Sequence, residues 1–167
     1  VFLRYLTTAV HKTFPRARPC ANTQALLNAP QSPTLETITN TLINDLAQLP
    51  HTLLLVLDDY HLITLPVIHQ VMAALIRHLP ADLRLLLITR IDPALSLLAR
   101  RRAQQRLLEI RAADLRFVLA EARAILTRTT GAEVDEETAI LLEEQTEGWI
   151  IGLQLAGISL REQQDPA

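Results

Sequence analysis

The chain has 167 residues, 49% of them hydrophobic, and its 16 lysines and arginines face 18 acids for a formal net charge of −2. That is apolar material for one core or one and a half, and too little charge of either sign for a global attraction to nucleic acid or to an anionic membrane. One cysteine, Cys20, excludes an intramolecular disulfide framework and fits a reducing compartment. No run approaches the roughly 18 apolar residues of a membrane span and no cationic, hydrophobic leader opens the chain, so a cytoplasmic protein without membrane contact is expected.

Val1 to Phe14 places Phe2, Leu3, Leu6, Val10 and Phe14 at helical spacing and stops at Pro15. A proline-punctuated connection follows to Pro33, with a short helical piece near Ala25. Ser32 as N-cap and Pro33 at the first helical position predict a helix with Leu35, Ile38, Leu42, Leu46 and Leu49 on one face, ending at Pro50.

Leu53 to Leu57 is an unbroken apolar run, which suits a strand buried on both faces of a parallel sheet. It ends in Asp58-Asp59-Tyr60-His61. Pro66 to His78 then reads as a helix through Val67, Ile68, Val71, Leu75 and Ile76, and Leu85 to Thr89 as a second buried strand that ends in Arg90. Strand, helix, strand is a βαβ crossover, so both charged ends should meet at one edge. A third strand is expected at Leu107 to Ile110, after another helix-length interval.

Two adjacent carboxylates at the carboxyl end of such a strand repel unless a cation shares them, and Mg²⁺ that also holds nucleotide phosphates is the common solution. The segment therefore has the form of a Walker B motif. The plain alternative is turn chemistry with two solvated acids.

Taken in order, Val56-Leu57-Asp58-Asp59-Tyr60-His61, Ile88-Thr89-Arg90-Ile91-Asp92-Pro93, Leu108-Glu109-Ile110-Arg111-Ala112-Ala113-Asp114-Leu115-Arg116-Phe117 and Thr146-Glu147-Gly148-Trp149 with Gly152-Leu153-Gln154-Leu155-Ala156 resemble the nucleotide-binding module of MalT-like regulators. These are bacterial transcription activators of the STAND class of signalling ATPases. The resemblance implies an α/β fold with a partial P-loop-type parallel sheet over residues 1–112, and a small all-helical lid over 113–167. By the same resemblance Asp58 would hold Mg²⁺, Asp59 would orient or deprotonate the attacking water, and Arg90 would sense the terminal phosphate of ATP. The parent would be a slow regulatory ATPase that self-associates on activation and reaches DNA only through a separate C-terminal domain.

The departures from the family are as informative. No Gly-x-x-x-x-Gly-Lys-Ser/Thr loop is present: the four glycines are Gly131, Gly148, Gly152 and Gly157, and the only lysine, Lys12, has no glycine near it. The chain therefore reads as a fragment cut after the phosphate loop, with ATP binding weak or absent and no activity of its own expected. In the family's sheet, the strand before that loop is expected to lie between the two strands found here, so its loss should bare apolar strand edges. Family members usually carry threonine where Val118 stands and glycine where Gln105 stands, so a weakened helix start and an altered turn are expected.

From Ala113 onward the pattern is helical, with segments at Val118 to Arg128, Asp135 to Gln145 and about Trp149 to Gln163. Gly148, Gly152 and Ala156 at four-residue spacing favour close helix packing over an adenine contact, with Gln154 where related ATPases have proline. Trp149 reads as a core residue, His61 as a hydrogen-bonded structural residue, and Arg116 receives no role. Two rival functions remain: a nucleotide-independent interaction scaffold, and a nucleic-acid module built on Arg100-Arg101-Arg102, which lacks the aromatic residues such surfaces interleave.

Overall fold

The first helix, α1 (Phe2–Thr13), buries Leu6, Thr7 and Val10 on one face and stops before Pro15, as its spacing requires. In this computed structural model residues 1–31 and 33–164 are described. Two short steps follow, α2 (Ala21–Leu27) and α3 (Leu35–Ala47). Ser32, expected as the cap of α3, lies outside the described residues. The cap is Thr34, whose hydroxyl oxygen accepts the backbone N–H of Thr37 at 3.1 Å, so Pro33 precedes the helix instead of opening it.

Strands β1 (Leu53–Leu57) and β2 (Leu83–Leu87) are joined by α4 (Pro66–Arg77), which has proline at its first position, and they pair in parallel with Leu53 opposite Leu83 and Leu57 opposite Leu87. The βαβ crossover is therefore present. Helix α5 (Leu97–Ala103) follows. Three corrections to the sequence reading concern this sheet. Direct pairing of β1 with β2 leaves no place for another strand between them. Among the described residues the sheet has two strands, and the expected third at Leu107 to Ile110 does not form, with Leu108 86% and Ile110 63% exposed. A strand needs a ladder partner, and among the described residues this segment has none; it falls where one compact unit, Val1–Leu107, gives way to the next.

The third correction is that only one face of the sheet is covered. Leu53, Leu55, Leu57, Leu83, Leu85 and Leu87 join a core with Leu6, Val10, Leu42, Leu46, Val71, Met72 and Leu75, whereas Leu54, Val56, Leu86 and Ile88 on the opposite face are exposed. Period-2 geometry forces this division once helices lie on one side alone.

The second unit, from Leu108 onward, contains α6 (Leu119–Thr130), α7 (Glu136–Thr146) and α8 (Ile150–Gln164) around Ala122, Leu126, Val134, Ala139 and Leu153. Helix α6 begins after Val118, which is extended and has no side-chain acceptor. Only the Glu121 carboxylate closes that end, accepting the Val118 N–H at 3.1 Å. Asp135 caps α7, taking the Thr138 N–H and hydroxyl at 2.8 Å each, and these bonds hold its carboxyl below the ordinary range.

Candidate functional site

Because β1 and β2 run parallel and in register, the residues that leave their carboxyl ends share one rim. The ladder continues past both strands: the Ile88 N–H donates to the Leu57 carbonyl at 3.0 Å, and the Tyr60 N–H donates to the Ile88 carbonyl at 2.9 Å. Asp58 and Asp59 are exposed in the turn between Leu57 and Tyr60. The Asp58 Oδ1 accepts the Asp59 N–H at 2.8 Å, and Asp59 takes a left-handed conformation (φ 50°, ψ 37°) that aspartate tolerates better than most residues. Arg90 is exposed on the same rim. It makes no ion pair with Asp58 or Asp59 among the described residues, so the charged ends share an edge without binding each other.

The rim is braced from below by Tyr60. Its ring is 1% exposed, its hydroxyl lies 2.9 Å from His69 Nδ1 on α4, and the two rings meet edge to face at 5.5 Å. Burial pushes the Tyr60 phenol up. His61 differs from the expectation of a hydrogen-bonded structural residue: its Nδ1 is buried without a hydrogen-bond partner, and Asp59 Oδ1 stands 3.9 Å away. His69 was not singled out by sequence reading, although its position one helix turn inside α4, facing the residue after Asp58-Asp59, was available from the βαβ pattern.

Two acids at a strand end, exposed and with spare lone pairs, suit a hydrated Mg²⁺, which takes one or two carboxylates and fills its remaining positions with water and phosphate oxygens. Among the described residues no group of three or more His, Cys, Asp or Glu side chains forms an all-protein metal cage.

In the helical unit, Trp149 is 40% exposed, which corrects its assignment to the core; Leu153 fills that place. The Arg116 guanidinium lies 5.9 Å from the Trp149 ring centre and binds Glu147 at 2.8 Å. The small residues pack as expected but differently distributed. Gly148 precedes α8 and lies against the Phe117 backbone, Gly152 lies against Thr146, and Gly157 lies against Thr129 of α6. Gln154 is exposed on α8.

Of the three arginines proposed as a nucleic-acid surface, Arg101 is engaged within the fold, donating to the carbonyls of Ile76 and Arg77 at the end of α4. No helix of the described residues is long and apolar enough to cross a membrane.

A parallel βαβ unit with paired acids and an arginine on its carboxyl rim, followed by a three-helix unit, defines a mixed α/β protein. No family model matches the chain. The chain is MalT-like: it is 34% identical over 161 residues, 96% of its length, to the HTH-type transcriptional regulator MalT of Cronobacter sakazakii. It spans 18% of that relative's length.

Proposed function

We propose that this chain is the Walker B and sensor portion of a STAND-class, ATP-dependent switch in a cytoplasmic transcriptional regulator of the LuxR type. The observation that carries the proposal is the in-register parallel pairing that sets Asp58, Asp59 and Arg90 on one rim. Asp58 would hold Mg²⁺, Asp59 would orient the attacking water, and Arg90 would meet the terminal phosphate as a fork-shaped donor. Bound Mg²⁺ would neutralise phosphate charge. The helical unit, residues 113–167 in this reading, serves as the lid over the nucleotide.

Similarity to a regulator named for its helix-turn-helix extends the proposal to the parent protein, which would bind DNA through a separate domain and self-associate when activated. The chain itself lacks a phosphate cradle. Its four glycines begin at Gly131, beyond the sheet, so the sequence has no glycine-rich loop beside β1 or β2. Charge on the rim cannot replace that cradle, and Asp58-dependent ATP binding by this chain is therefore weak or absent.

The test uses the full-length parent. Asp59→Asn should retain nucleotide binding yet lose hydrolysis and nucleotide-dependent activation of transcription; unchanged hydrolysis in that variant defeats the assignment. With the 167-residue chain, calorimetric titration with ATP and Mg²⁺ should show no micromolar binding that disappears in Asp58→Ala. Such binding would mean that the cradle is dispensable.

A further inference from the structure

At the opposite end of the βαβ unit lies a cleft of about 420 Å³ lined by Arg77, Ser96, Arg100, Arg101, Gln104 and Arg106. Its place follows from the crossover. Helix α4 starts beyond the carboxyl end of β1 and runs back to the amino end of β2, a span of about 18 Å at 1.5 Å per residue. Arg101 donates to the Ile76 and Arg77 carbonyls at the far end of that helix, so the cleft is a helix length away from Asp58 and Arg90.

Its four guanidinium groups are not equivalent. Arg101 is held by the carbonyl end of α4, where a cation is favoured. Arg77, Arg100 and Arg106 are exposed and form no ion pair among the described residues. Three like charges around one concavity repel, and the chain holds them together by backbone geometry. The turn after α5 folds back through Gln105 (φ 54°): the Gln105 N–H donates to the Arg102 carbonyl at 3.0 Å and the Arg106 N–H to the Arg101 carbonyl at 3.0 Å. That closure delivers Arg106 beside Arg101.

We infer that this arginine cleft binds a small anion carrying two or three phosphoryl groups, at a second site separate from the Asp58 rim and independent of Mg²⁺. Guanidinium forks match phosphate oxygens two at a time, and a multivalent anion relieves the repulsion that a single carboxylate would leave. A volume of this size suits a chain of phosphoryl groups, and Ser96 and Gln104 add neutral donors. The inference does not rest on the switch proposed above.

The experiment is calorimetric titration of the 167-residue chain with inorganic triphosphate in EDTA at low salt. One site is expected, weakened about tenfold in Arg100→Gln and in Arg106→Gln as a charge-assisted pair is lost, and unchanged in Asp58→Asn. In the unaltered chain the side-chain Nε–H resonances of Arg77, Arg100 and Arg106 should shift together on titration, a readout that survives if either variant misfolds. Absence of binding, or binding abolished by Asp58→Asn, overturns the inference. A short duplex DNA that moves the same resonances and resists displacement by excess triphosphate would assign the cleft to a nucleic-acid backbone instead, and would overturn it equally.

Discussion

Two glycines with the same backbone sign separate conformational cost from steric cost. Gly131 and Gly148 both have positive φ, 76° and 69°, but a Cβ at Gly131 meets nothing within 4 Å, whereas at Gly148 it lands 2.5 Å from the Phe117 carbonyl oxygen and 3.1 Å from its nitrogen. Gly131→Ala should therefore cost only the left-handed penalty, about 1 kcal/mol. Gly148→Ala carries that penalty and must also push two backbone segments apart, because no flexible side-chain end is there to yield. The Phe117 N–H donates to the Gly148 carbonyl at 2.8 Å, and losing that bond adds about 1 kcal/mol, with more for the overlap itself. The sum is about 2–4 kcal/mol, a large fraction of the stability of a small unit. Urea unfolding followed by fluorescence of Trp149, the only tryptophan and the next residue, reads the helical unit directly. If the two alanine variants differ by less than about 0.5 kcal/mol, the close approach does not constrain the unit and the reasoning fails.

Three further outcomes follow from the same geometry. Val118→Thr should complete the half-formed cap with Glu121 and raise the urea midpoint by the equivalent of about 1 kcal/mol, and no gain would show that the end of α6 is already satisfied. Gln105→Gly should stabilise by about 0.5 kcal/mol, since glycine relieves the left-handed strain but adds unfolded-chain entropy; destabilisation in thermal unfolding would argue against the turn described. Cys20, 1% exposed, has its thiol pushed up to about 12 by burial first and by the Asp45 carboxylate second. Native Cys20 should therefore resist alkylation at pH 8 and react once the chain is unfolded. The raised value means the folded state binds the extra proton, so this contribution to stability is complete below pH 9.0 and is lost as pH climbs toward about 12. In Asp45→Asn the thiol should titrate lower but still above 9.0, because burial is the larger cause.

Local chemistry made most elements legible. Apolar spacing located α1, α3 and α4, the run before Asp58 and the run before Arg90 located the two strands, and proline marked the start of α4. The resemblance to the family added two positions, Val118 and Gln105, where threonine and glycine are usual, and the structure has a helix start at the first and a left-handed turn at the second. The apolar and proline signals, by contrast, are short-range, written within one helical turn or one alternation, and a single chain carries them in full.

Partnership was not legible, because it depends on what else is present to receive a face or an edge. Leu54, Val56, Leu86 and Ile88 have the composition of a buried strand, yet they are exposed because the helices pack on one side. Leu108 to Ile110 has strand composition and no ladder partner. Trp149 is apolar enough for a core but lies over Arg116 at its edge, and His61 lost the hydrogen bond that composition suggested while His69 gained one with Tyr60. The gathering of Arg77 with Arg100 and Arg106 depends on where α4 ends in space, 23 residues before α5 begins its last turn of arginines at Arg100. Residue type and spacing determine what each segment can become; burial, pairing and convergence are settled only when distant segments compete for the same neighbours.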